Sequence, residues 1–91
     1  MKVKFYGELK EVMSYGKKEV NKDNIKNIED LIRYLVGEKD NNLLKKFIND
    51  GKLNEDITIL KNGKRIRFKK GLKTQVKKDD KIVFFPPSLG G

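Results

Sequence analysis

The 91-residue chain contains no cysteine and no histidine. Without cysteine there can be no disulfide, no thiolate zinc site and no thiol nucleophile. Without histidine the commonest general base and metal ligand is missing. Any chemistry must use carboxylates, lysines or a chain end, which points to a substrate or carrier rather than a self-sufficient catalyst. No carboxylate pair has a spacing suited to catalysis or metal binding, so neither a metal nor a tightly bound cofactor is expected. Long apolar runs are also absent. No stretch approaches the roughly 18 residues that would span a membrane, and Met1 to Phe5 alternates polar with apolar from the first residue, unlike a signal peptide. A cytoplasmic location and no membrane partner are the expectation. Arginine is scarce: only Arg33, Arg65 and Arg67 stand among 22 basic residues, so lysine carries most of the net charge of +9. That balance favours acidic partners. Nucleic-acid readers rely on arginine forks and stacking aromatics, so a lysine-rich solvated surface is the better reading. A basic RNA-binding module stays as a lesser alternative.

What is present reads as one small α+β domain. In "MKVKFYG", Met1, Val3 and Phe5 alternate with Lys2, Lys4 and Tyr6, the period of a half-buried strand. "ELKEVMSYG" places Leu9, Val12 and Met13 at helical spacing and is either one or two helical turns or a loop. "KKEVNK" is a weak second strand around Val20. The strongest element is a helix after Asn27, where Ile28, Leu31, Ile32, Leu35 and Val36 form a single apolar stripe. Asn27 suits the N-cap, Asp30 the third helical position and Gly37 the stop. "NNLLKKFIND" reads as a second short amphipathic segment carrying Leu43, Leu44, Phe47 and Ile48, and "GKLNEDI" as loop. Asn62-Gly63 between "ITIL" and "KRIRF" predicts a hairpin, because both turn positions favour φ > 0. Leu72 and Val76 are candidate anchors in a turn-rich stretch. "KIVFF" is the last strand, ended by Pro86. A mixed sheet of four to five strands on one main helix follows.

The second half, "LKNGKRIRFKKGLKTQVKKDDKIVFFPPSLGG", resembles the ubiquitin-like sulfur carriers, above all the small subunit of molybdopterin synthase and the archaeal small modifier proteins. The resemblance rests on Asn62-Gly63, Gly71-Leu72-Lys73-Thr74, Asp79-Asp80, the strand Lys81 to Phe85, Pro86-Pro87 and Gly90-Gly91. The opening "MKVKFYGELKEV" is also similar to that family's first strand and loop. Asp79 stands where the family usually has glycine. Ser88 and Leu89 reverse its usual order of apolar then small, and residues 38–56 look expanded. The resemblance implies a β-grasp domain over residues 1–85 and a flexible extended tail, 86–91, ending in Gly-Gly.

It also implies a chemistry. The carboxylate of Gly91 would attack ATP in the site of a ubiquitin-activating-type adenylyltransferase and become an acyl-adenylate. A sulfur donor, such as a cysteine desulfurase or other sulfurtransferase, would then displace AMP and leave a thiocarboxylate. The large subunit of molybdopterin synthase would hold the pterin that accepts the sulfur. Conjugation to lysines as a protein modifier, or sulfur supply for tRNA thiolation or thiamine synthesis, shares the activation step. The residue types suit it. A carboxylate of ordinary pKa, about 3.3–3.7, is ionised at neutral pH and must be activated before any nucleophile attacks it. Gly90 and Gly91 lack a Cβ, so backbone can approach a ligand closely. Pro86 and Pro87 stiffen the tail and reduce its ordering cost on docking. Six residues at about 3.1–3.5 Å each reach roughly 20 Å. Gly91 and Gly90 are thus the reacting residues by this reading. Phe85, Pro86, Pro87, Ser88, Leu89, Arg65 and Arg67 are its partner contacts, with Leu89 as an apolar anchor.

Overall fold

The alternation that opens the chain becomes strand β1, Lys2–Phe5, in a computed structural model describing residues 1–37, 40–66 and 70–87. Val3 and Phe5 face the core at 1% and 2% exposure, and Lys2 faces outward. A short helix α1, Glu8–Met13, follows, so the first six residues of "ELKEVMSYG" are helical; Leu9 and Met13 are buried while Val12 is exposed. Strand β2, Lys17–Glu19, returns antiparallel to β1.

Helix α2, Ile28–Val36, has the expected caps. The Asn27 side chain accepts from the Asp30 N–H at 2.8 Å, and Gly37 takes φ +83 at the stop. The Asp30 carboxylate reaches back to the Lys26 N–H rather than to that of Asn27. Ile28, Leu31 and Ile32 are at most 1% exposed, and Leu35 and Val36 pack against the core edge.

Residues 40–53 correct two expectations. Helix α3, Asn41–Lys45, is a single short turn capped by Asp40, and Phe47 and Ile48 lie beyond it. Lys52-Leu53, expected as loop, is a strand: β3, Ile48–Asn49, pairs antiparallel with β4, Lys52–Leu53. The cause is the Asp50-Gly51 turn, with φ +53 and +73, which is the same tight-turn chemistry recognised at Asn62-Gly63. Phe47 fills the core at 1% exposure.

Strands β5, Thr58–Lys61, and β6, Lys64–Arg65, flank Asn62 (φ +52) and Gly63 (φ +84) as expected. A 3-10 turn at Gly71–Lys73 buries Leu72, and Val76 is also buried. Strand β7, Lys81–Phe85, inserts between β1 and β5, giving the order β2-β1-β7-β5-β6. It runs parallel to β1, pairing Val3 with Ile82 and Phe5 with Phe84, and antiparallel to β5. The domain is therefore a two-layer α+β fold, the β-grasp, with five strands in its main sheet. The core between sheet and α2 centres on Phe84, which stacks on Phe5 at 4.9 Å and meets Phe47 edge-on at 5.8 Å.

Candidate functional site

Period-two alternation decides what the sheet shows to solvent. Cross-strand partners share a face. The row Lys17–Lys4–Val83–Leu60–Arg65 therefore lies on the side away from α2, with Glu19–Lys2–Lys81 beside it. A groove of about 460 Å³ crosses β2, β1 and β7 on this side, lined by Lys2, Lys4, Lys17, Lys81 and Val83 among others. Basic side chains thus surround a small apolar strip.

At the end of β7 the strip becomes aromatic. Phe85 is half-buried on this outer side, whereas its neighbour Phe84 is fully buried. The Phe85 ring stacks on Tyr6 at 5.0 Å with planes 7° apart. Tyr6 is 45% exposed, so the pair presents an open apolar platform where the chain leaves the sheet. Pro86, half-buried, begins the exit and lies against Gly7; Pro87 is exposed.

The sequence-derived partner residues divide accordingly. Phe85, Pro86 and Pro87 stand together at the end of β7. Arg65 is exposed on the same sheet face but at the β6 edge, two strands away. Arg67, Ser88, Leu89, Gly90 and Gly91 lie outside the described residues. Tyr6 and Gly7 join the site without having been expected there. For Tyr6 a signal exists: it is an aromatic on the polar phase of an otherwise strictly alternating strand.

The start of β7 is fixed by a buried carboxylate. Asp80, 5% exposed, accepts from the Asn62 amide at 2.9 Å and the Lys77 N–H at 2.7 Å. Asn62 also accepts from the Lys81 N–H at 2.8 Å. Burial pushes the Asp80 pKa up. Those hydrogen bonds and the nearby Lys61 and Lys77 charges outweigh it, so the group lies below the ordinary carboxylate value. The hairpin turn and β7 are thereby tied in register.

On the helix side, Lys18 lies 5.3 Å from the Tyr15 ring centre and Lys22 lies 5.5 Å from that of Tyr34. Tyr15 also meets Phe5 edge-on at 5.7 Å. Among the described residues no group of three or more Asp or Glu could hold a metal ion, and no helix is long and apolar enough to cross a membrane.

A mixed sheet gripping one main helix, with an exit segment leaving its central strand beside a partly exposed aromatic pair, defines a ubiquitin-like protein. The chain belongs to the ThiS family, whose model matches residues 3–91. It is 29% identical over 93 residues to small archaeal modifier protein 3 of Haloferax volcanii, covering 100% of this chain and 98% of that one. A candidate sulfur carrier protein of Archaeoglobus fulgidus is 33% identical over 61 residues, 67% of this chain and 66% of the relative. The crystal structure of small archaeal modifier protein 1 from Haloferax volcanii superposes with a TM-score of 0.75 at 26% identity, covering 100% of this chain and 98% of that one. The protein is accordingly a member of the small ubiquitin-like carriers and modifiers, as the resemblance of its second half implied.

Proposed function

We propose that the protein is a sulfur carrier whose reacting group is the carboxylate of Gly91, serving as the sulfur-donating small subunit of a molybdopterin synthase. The carboxylate oxygen attacks the α-phosphorus of ATP in an adenylyltransferase, releasing pyrophosphate. A sulfide-level sulfur then attacks the acyl carbon, AMP leaves, and a thiocarboxylate remains. The sequence has neither histidine nor cysteine, so in this reading activation and sulfur delivery both belong to partner proteins, and the carrier acts only together with them.

The observation that carries this reading is the Pro86-Pro87 and Gly90-Gly91 spacing after β7, beside the exposed Tyr6–Phe85 platform. The platform offers a docking anchor, and the slim residues beyond it suit a narrow adenylation channel. Membership in the ThiS family supports the same chemistry. The test is intact mass after incubation with a cognate adenylyltransferase, ATP and a sulfur donor. The expected gain is one oxygen replaced by sulfur, abolished by Gly91→Val. No gain with active partners would sink the reading.

A second reading, conjugation of Gly91 to target lysines, is favoured by the full-length likeness to a small archaeal modifier protein. Gly-Gly remnants on lysines of digested cell extract would establish it. Their absence, together with thiocarboxylate accumulation, would favour the carrier.

A further inference from the structure

We propose that Gly7 is a positioning residue for the reacting tail. Its missing side chain lets Pro86 seat against the β1–α1 turn, and this seat fixes the direction in which the chain leaves β7. The proposal deepens the carrier reading above and rests on it.

Gly7 has φ +59 and ψ −139, a region that L side chains rarely adopt. Conformation is only half of its role. Gly37, Gly51 and Gly63 also have positive φ, yet a Cβ on any of them would meet nothing within 4 Å. A Cβ on Gly7 would lie 2.8 Å from Pro86 Cγ and 3.4 Å from Cδ. The obstacle is a ring closed onto its own backbone, so it cannot swing away as a lysine tip would. Relief requires moving the Pro86 backbone.

The other side of the contact cannot yield either. The Tyr6 N–H donates to the Phe84 carbonyl at 3.1 Å, and the Gly7 carbonyl accepts from the Lys10 N–H at 3.1 Å at the start of α1. Stacking on Tyr6 holds Phe85, the residue before. Residues 85 and 86 are thus each gripped by a neighbouring residue of one turn. A proline has its own φ fixed near −65°, so orientation set at its ring is passed to the following backbone. The seat therefore sets where the backbone of Pro87 begins its path away from the sheet, and a misplacement of about 1 Å at a remote point can slow chemistry about a hundredfold.

The test compares wild type, Gly7→Ala, Pro86→Ala and the double variant. Each is followed by charging kinetics with the adenylyltransferase, by thermal melting, and by NMR cross-peaks between residue 7 and the Pro86 ring. Each single substitution is expected to lower kcat/KM for charging about tenfold after correction for the folded fraction. The double variant is expected within about threefold of either single, because both act through one contact. Multiplied effects, or Pro86→Ala charged at the wild-type kcat/KM, would overturn the proposal, the latter even if Gly7→Ala fails to fold. Absence of the Gly7–Pro86 cross-peaks in the wild type would also overturn it. A wild type that has them but is never charged counts against the carrier reading, while the peaks themselves support the seat.

Discussion

The Tyr6 ring lies flat on the Phe85 ring, 5.0 Å between centres and 7° between planes, at the point where β7 gives way to Pro86. Neither ring is in the core, and Tyr6 is 45% exposed. Stacked aromatic pairs contribute about 0.5–1.5 kcal/mol beyond their buried area. Tyr6→Ala should therefore cost about 1 kcal/mol in urea unfolding. If the platform is the docking anchor, it should raise the KM for charging by more than that loss explains, about tenfold or more. Tyr6→Phe should leave both measurements near wild type. A Tyr6→Ala chain that loses stability but is charged with unchanged KM would remove the platform from the docking surface.

Asp80 predicts a pH dependence. Its folded pKa lies below the ordinary carboxylate value, near 3.9 in an unfolded chain. The unfolded state therefore binds the proton first. The carboxylate's stabilising contribution is complete above the unfolded pKa and is lost as pH falls through the depressed folded value. Urea midpoints measured from pH 7 to pH 2 should decline below about pH 4, and the decline should be shallower in Asp80→Asn. Asn62→Ala, which removes two hydrogen bonds and forces φ +52 on alanine, should cost about 2–3 kcal/mol. Asn62→Gly should cost about 1 kcal/mol less, because glycine accepts that φ.

Patterns that repeat within a few residues are legible in the amino-acid sequence. The alternation of β1, the apolar stripe and caps of α2, and the Asn62-Gly63 turn each announce themselves locally, and each forms as expected. Residues 46–53 mislead, because an apolar run at Leu43, Leu44, Phe47 and Ile48 also fits a helix, while the competing Asp50-Gly51 turn signal sits at its edge. At the site, Phe85 and Pro86 are readable from the strand they end. Nothing local groups Tyr6 and Gly7 with them, because that juxtaposition depends on β1 and β7 lying parallel and adjacent, about 80 residues apart in sequence. Long-range pairing leaves no short-range mark.

The core carries its own prediction. Phe84 is fully buried between Phe5 and Phe47, held by a strand with neighbours on both sides. Phe84→Ala should cost about 3–5 kcal/mol, which is comparable with the whole stability of many domains this small. The variant should show little cooperative unfolding by circular dichroism at 25 °C. Phe84→Leu should remain folded, at a cost of about 1–2 kcal/mol. A well-folded Phe84→Ala chain would mean that α2 and Phe47 collapse into the gap, which the fixed register of β7 between β1 and β5 opposes.

The basic face makes the last prediction. Lys2, Lys4, Lys17 and Lys81 line one groove beside the apolar strip that leads to Phe85. Charges arranged around an apolar centre act mainly on encounter rate and orientation, and salt screens them over about 10 Å at 0.1 M. Charging by an acidic-surfaced partner should therefore slow as salt rises, about tenfold in kcat/KM between 0.05 and 0.5 M, with kcat little changed. Reversing Lys4 and Lys81 to Glu should weaken that salt dependence. Reversing Lys45 and Lys52, exposed on α3 and β4, should not, although the change in net charge is the same. Equal effects from both pairs would mean that only total charge matters. A larger effect from Lys45 and Lys52 would move the docking surface off the sheet, and the link between basic face and reacting tail would fail with it.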